Sequence, residues 1–225
     1  GEDVDVVVVV DDPVAWHQAN LARRPEDYSV VGRLGAVFGL QDLGPGVYFN
    51  PFAPLGRGAR WHRLKYGVVS SERLVDDLLT WRWMYLAGRL QKPVVVLGHD
   101  VVVGDAMAEN RRMAVLAAAV LSPESTDVRS FFATIASMSY DGDLRFAVGA
   151  EDPRKIANLV DPNVDVFHRV YSRELLAAAR DDVVVATGSG HLHIHRRPTL
   201  AMLPRGLGLE ATTTTGATPG GADDA

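Results

Sequence analysis

The sequence predicts an α+β fold: a front half of mixed strands and helices, and a helical back half that closes on a β-hairpin. Three observations carry this. Val6–Val10 is an unbroken β-branched run halted by Asp11-Asp12-Pro13, which reads as a strand buried on both faces. Leu64–Ser70 reads as a second strand and leads into a helical pattern from about Glu72 to Leu90. Past Gly104 the chain turns alanine-rich and helical until Val183–Thr187 and His191–His195, two β-runs that flank Gly188-Ser189-Gly190.

In chain order, Asp12 followed by Pro13 starts a helix through Trp16, Ala19 and Leu21 that stops before Pro25. Glycine and proline from Gly32 to Gly58 mark loops around a short GVYF strand. In the helix from Glu72, Ser70 or Ser71 serves as cap, acids lie near its start, and Arg82 and Arg89 lie near its end. Leu74, Leu78, Trp81 and Tyr85 form its apolar line. Val94–Leu97 reads as one more short buried strand. Helices follow at Asp105–Leu121, Val128–Met138, Asp152–Val160 and Val164–Ala179. Short helices before a hairpin are the order of a winged-helix-like unit. The boundary between halves falls near Val103–Gly104, giving units 1–103 and 104–206. Residues 207–225 lack core-forming side chains and read as a disordered tail.

The 225 residues carry a net charge of −5, so no overall basic field draws the chain to nucleic acid, and none is expected as partner. An anionic ligand must be held by a local cluster. With no cysteine, disulfides, thiolate zinc sites and a cysteine nucleophile are excluded. No apolar stretch reaches the ~20 residues that span a bilayer. The acidic start fits neither a secretory signal nor a mitochondrial presequence.

Lysine is scarce: Lys65, Lys92 and Lys155 stand against twenty arginines, and a lysine that resists this bias needs its compact ammonium. Lys65 lies mid-strand in an apolar run, where it is costly unless its head reaches an anion or water. Arg60, His62 and Arg63 add positive charge beside it, and Gly67 lets a ligand approach the backbone. Phosphate contact is the functional reading; a snorkelling lysine is the bland one. Asp3 and Asp5 alternate at the head of the valine strand, so both carboxylates project from one face. Such a pair suits Mg²⁺ beside substrate phosphates, although a solvated acidic end has the same pattern. Arg89 and Lys92 serve equally as helix-end cations. His191, His193 and His195 share a strand face that reads as solvated rather than metal-binding, and Gly188-Ser189-Gly190 as a turn.

Longer strings point further: VDDPVAWHQANL (Val10–Leu21), GVYFN (Gly46–Asn50), LKYGVVS (Leu64–Ser70), DLLTWRWMYLAGRLQKPV (Asp77–Val94), LSPES (Leu121–Ser125) and SYDGDLRFAVG (Ser139–Gly149). In this order and spacing the sequence resembles the mitochondrial-type phosphatidate cytidylyltransferases, the translocator assembly and maintenance family. The resemblance implies a nucleotidyltransferase-fold domain followed by a winged-helix-like domain, with CTP held between them. It implies transfer of CMP from CTP to phosphatidate at a membrane surface, with Mg²⁺, giving CDP-diacylglycerol and pyrophosphate. Carried onto this chain, it gives Asp5, with Asp3 as helper, to the metal and Lys65 to a phosphate. Tyr48, Asn50, Tyr66 and Gly67 would shape the pocket. Arg89 and Lys92 would serve the lipid phosphate or the leaving pyrophosphate, and Tyr140, Asp143 and Arg145 would close the site from the second unit.

Three departures accompany the match. The family's Gly-Ser-Gly phosphate loop, expected upstream of Asp5, is either missing or left out ahead of a start that looks cut, Asp3 is less fixed in the pattern than Asp5, and a polar tail stands where the family has an amphipathic C-terminal region. The rival readings are another nucleotidyl transfer onto a soluble phosphate acceptor, and a non-catalytic nucleotide-binding or assembly module. Arginine, alanine and valine richness suggests a GC-rich bacterium more than a mitochondrion; the resemblance implies peripheral membrane association, in a bacterial cytoplasm here and on the matrix face of the mitochondrial inner membrane in eukaryotic members. A homo-oligomer is left open.

Overall fold

The computed structural model describes residues 3–55, 62–98, 100–140, 154–187 and 190–204. Strand β1 (Asp3–Val10) pairs in parallel with β3 (His62–Ser70), and β3 pairs antiparallel with β2 (Tyr48–Leu55), in the order β1-β3-β2. β1 is an edge strand among the described residues and is not buried on both faces: Val4 and Val9, which alternate to opposite faces, are both exposed. Helix α1 (Pro13–Arg23) begins where the sequence places it, with the Asp12 carboxylate accepting from the Ala15 N–H at 2.9 Å and Pro13 in the first turn. A short helix α2 (Val37–Leu40) precedes β2.

The stretch from Glu72 to Leu90 is two helices rather than one. The first, α3 (Ser71–Thr80), is capped by the Ser70 hydroxyl, which accepts from the Arg73 N–H at 3.2 Å. Trp81 and Met84 then take left-handed backbone angles (φ 56° and 52°), and α4 (Tyr85–Leu90) starts afresh. Asp77 makes this break. Its carboxylate is wholly buried; one oxygen accepts from the N–H groups of Trp83 and Met84 at 2.9 and 3.0 Å, the other from Leu86 and Ala87 at 2.8 and 3.1 Å. Four backbone donors around the start of α4 are thereby satisfied by one side chain. Val94–Leu97 is also corrected. It forms neither helix nor strand, pairs with no described strand, and lies exposed.

The back half holds α5 (Val101–Leu121), β4 (Ser125–Asp127), α6 (Val128–Ser137), α7 (Lys155–Val160), α8 (Val164–Arg180), β5 (Val184–Thr187) and β6 (His191–Ile194). Strand β4, too short to read from sequence, adds to the hairpin in the order β4-β6-β5. Leu192 and Ile194 of β6 point into the core. His195 meets Asp182 at 2.7 Å, and no three His, Cys, Asp or Glu gather as a metal site among the described residues. The tail from 207 lies outside the described residues.

One apolar core joins Val69, Leu74, Leu78 and Trp81 of the front half to Ala114–Ala119, Phe131, Phe132, Phe167 and Tyr171 of the back. Buried polar contacts fix α4 within it. Asn110 accepts from the Trp81 indole at 2.8 Å and from the Gln91 amide at 3.1 Å, and donates to the Ala87 carbonyl at 3.0 Å. The Tyr171 hydroxyl donates to the Gln91 carbonyl at 2.7 Å. Each buried polar atom so paired avoids a desolvation cost of ~1–3 kcal/mol. The effect is to hold the segment carrying Arg89 and Lys92 in one orientation.

Candidate active site

The register of β1 on β3 sets Asp5 directly opposite Lys65. Partners on neighbouring strands ~4.8 Å apart project to the same face, so a carboxylate and an ammonium stand side by side there. Asp5 is exposed and Lys65 half-buried. Asp3 lies two positions earlier on β1, opposite Arg63. Further along this face, Val69 enters the main core and Val7 packs against it, which leaves the Asp5–Lys65 end open.

Tyr66, Asn50 and Tyr48 do not join Lys65. Period-two alternation sends Tyr66 to the opposite face, and Asn50 and Tyr48, paired with Tyr66 and Val68, follow it. There they belong to a buried polar network behind the sheet. The Tyr66 hydroxyl donates to Asp27 at 2.9 Å and accepts from Asn20 at 2.8 Å. Burial, followed by the bond to Asp27, raises the Tyr66 phenol above its usual range. Gln41 donates through Nε2 to the carbonyls of Gly46 and Val68 at 2.7 and 3.0 Å, so its Oε1 faces His17 Nε2 at 3.2 Å. His17 therefore carries its proton on Nε2, and Nδ1 accepts from the Tyr28 hydroxyl at 2.8 Å. Asn50 is buried near both phenols without meeting either at hydrogen-bonding geometry.

Burial pushes the His17 imidazole down to about 4, with the Gln41 bond opposing. The unfolded chain then binds the extra proton between pH 6.5 and about 4, so folding stability falls as pH drops through that window. Urea midpoints measured from pH 7 to 4 should decline, and a His17→Gln variant should decline less.

The space above Gly67 is filled by protein. A Cβ at Gly67 would lie 2.6 Å from the Phe49 ring, so Phe49 covers the backbone that was expected to admit a ligand. Phe49 supports Arg89, whose guanidinium lies 5.3 Å from that ring and 4.7 Å from the Tyr85 ring and donates to the Tyr85 hydroxyl at 3.1 Å. The buried Nε of Arg89 has no hydrogen-bond partner among the described residues. Close by, Lys92 donates to the Ser139 hydroxyl at 2.8 Å. Lys92 and Lys155 both stand over the Tyr140 ring, at 4.4 and 5.2 Å. Burial, then Arg89 and Lys155, push the Lys92 ammonium down to about 8.

Three cations thus crowd around two half-buried tyrosines, an arrangement whose charge suits an anion. Sequence reading missed Phe49, Tyr85, Ser139 and Lys155; the scarcity of lysine was the one available signal for Lys155. Asp143 and Arg145 lie outside the described residues. A shallow cleft at the far end of β1, lined by Asp11, Asp12, Asp42, Ser70 and Arg73, gathers three carboxylates with one arginine and suits an anion poorly.

Gly88 permits the close approach of Ser139. A Cβ there would lie 2.1 Å from the Cβ of Ser139, the residue bonded to Lys92. Gly88→Ala is expected to destabilise the fold by ~1–3 kcal/mol through overpacking, read as a lower urea midpoint.

The chain matches a family model described as mitochondrial phosphatidate cytidylyltransferase over residues 1–198. Curated proteins named mitochondrial phosphatidate cytidylyltransferase align with it. The Mus musculus protein is 39% identical over 214 residues, 91% of this chain and 61% of its own length. The Xenopus laevis protein is 41% identical over 179 residues, 77% of this chain and 51% of its own length. The Saccharomyces cerevisiae protein is 38% identical over 174 residues, 75% of this chain and 44% of its own length. The chain thus spans between two-fifths and two-thirds of the relatives it matches. With all but the last part of the chain under the family model, this protein belongs to the mitochondrial phosphatidate cytidylyltransferase family.

Proposed function

We propose that the chain transfers CMP from CTP to phosphatidate, yielding CDP-diacylglycerol and pyrophosphate. The observation that carries this is the in-register pairing of Asp5 with Lys65, on the sheet face where Phe49 supports Arg89. A phosphate oxygen of phosphatidate attacks the α-phosphorus of CTP. The bond from that phosphorus to the oxygen of the β-phosphate breaks, and pyrophosphate leaves. Lys65 holds a phosphate oxygen on the sheet face. Arg89 and Lys92 neutralise charge on the departing pyrophosphate or the lipid phosphate, and Tyr140 fixes the Lys92 ammonium. Positioning and fixed charge supply most of the rate in such displacements.

Mg²⁺ is held by one or two carboxylates and completes its shell with substrate phosphates and water; Asp5, exposed at the head of β1 with Asp3 two positions away, fits that demand. When bound, the metal offsets charge on the triphosphate. We read residues 1–103 as a nucleotidyltransferase-fold unit and 104–206 as a winged-helix-like unit. The parallel β1–β3 pair with an acid at its head supports the first, and helices followed by the β4-β6-β5 sheet support the second.

Incubation with CTP, ATP, GTP or UTP, each labelled at the α-phosphate, together with phosphatidate, tests the reaction. Label should enter lipid from CTP alone and only with Mg²⁺; label from another nucleotide, or none from CTP, overturns the reading. Because the Lys92 ammonium of the free enzyme is pushed down to about 8, kcat/KM should fall above that pH, with a flatter alkaline limb in Lys92→Met.

A further inference from the structure

Directly after Lys92 and Pro93 the chain runs outside any helix or strand through Val94, Val95, Val96 and Leu97, with exposures of 44%, 85%, 59% and 88%. Val101 and Val102, at the head of α5, are 78% and 64% exposed. Scattered exposed apolar residues are unremarkable on a protein surface, but six within nine positions, with no described strand beside the first four, mark an interaction site. The charges nearby are arranged to suit one kind of partner. Arg89 and Lys92, with Lys155, crowd together immediately before the apolar segment. Two acids follow at the other end, Asp100, which caps α5 by accepting from the Val103 N–H at 2.8 Å, and the exposed Asp105, so positive charge lies on the Lys92 side of the segment and negative charge on the α5 side. A cationic cluster that passes within a few residues into bare aliphatic side chains is complementary to an amphiphile with an anionic head and apolar tails. The reach agrees: five residues span at most ~16–18 Å, ample for Leu97 to enter the ~5–10 Å depth at which interfacial segments lie while Lys92 stays at headgroup level.

We propose that Val94–Leu97, with Val101 and Val102, is a docking loop that inserts its aliphatic side chains into an anionic lipid bilayer beside the Arg89–Lys92 cluster. Val95 and Leu97, alternate residues and the most exposed, enter deepest. No helix among the described residues is long and apolar enough to cross a membrane, and this loop needs none. The proposal rests on the reading of phosphatidate as acceptor, and its test is built so that either can fail alone.

The full chain is sedimented with vesicles of phosphatidylcholine containing phosphatidate, and with vesicles of phosphatidylcholine alone. The chain should partition at least about tenfold more strongly onto the former, and a Val95→Asp/Leu97→Asp double variant should lose about tenfold or more of that binding. On a short-chain phosphatidate dissolved below its micelle concentration, CMP transfer by the double variant should stay within about twofold of the parent. The chain has no cysteine, so Leu97→Cys carries a single environment-sensitive dye. Its emission should shift to the blue on anionic vesicles and be quenched by spin-labelled acyl chains. Unchanged vesicle binding by the double variant, or a dye that never meets the acyl quencher, overturns the proposal. So does a double variant that converts a dimer to a monomer while still binding vesicles, since the loop then docks a second copy. If no nucleotide yields lipid product yet the dye still enters the bilayer, the docking loop stands and the catalytic reading falls.

Discussion

Lys65→Met is expected to lower kcat/KM for CTP by about 10²–10³-fold, the usual loss when one preorganised charge on a transferring phosphoryl group is removed. Methionine keeps an unbranched stem beside Asp5 and deletes only the ammonium, so the urea midpoint should hardly move. Lys65→Arg should recover little of the loss, because a planar guanidinium cannot take the place of a compact point charge between strand neighbours ~4.8 Å apart. Initial rates with labelled CTP, beside circular dichroism to confirm folding, decide the matter. A Lys65→Met enzyme within about threefold of the parent would remove Lys65 from the chemistry.

The largest stability effect is expected at Asp77. Its two carboxylate oxygens satisfy four backbone N–H groups in a fully buried position. Asp77→Ala strands all four, and at ~1–3 kcal/mol for each buried donor left without a partner the loss is expected to reach about 3 kcal/mol or more. Asp77→Asn separates hydrogen bonding from bulk. Its amide keeps one oxygen, but turns an NH₂ toward either the Trp83–Met84 pair or the Leu86–Ala87 pair, setting donor against donor. Urea unfolding should therefore rank parent above Asn above or level with Ala. Activity should fall with stability, since α4 carries Arg89.

Much of this architecture was legible, and the failures have physical causes. β1, β3, the Asp12 and Ser70 caps and most of the back helices follow from β-branched runs, capping residues and helical period, all of which act locally. The break at Trp81–Met84 does not, because neither glycine nor proline marks it and the apolar spacing continues through it. Asp77 resembles an acid on a solvated helix face until the fold wraps α4 around it. Val94–Leu97 has the composition of a strand, yet a strand also needs a neighbour that sequence alone does not supply. At the site, the Asp5–Lys65 face depends on a register between segments sixty residues apart. The separation of Tyr66 from Lys65 could have been read from their adjacency alone. Phe49 over Gly67 and Lys155 beside Tyr140 are long-range contacts without a local mark.

The burial of Lys92, with Arg89 and Lys155 crowding it, makes ligand capture on the proposed reading a protonation event as well. Above about pH 8 Lys92 progressively loses its charge, and an arriving phosphate restores its affinity for a proton, which must be drawn from solution. Calorimetric heats of pyrophosphate binding should then vary with the ionisation enthalpy of the buffer, and that dependence should vanish in Lys92→Met. The molecule thus spends part of its resting stability on a buried, crowded ammonium, a cost offset when a multivalent anion arrives.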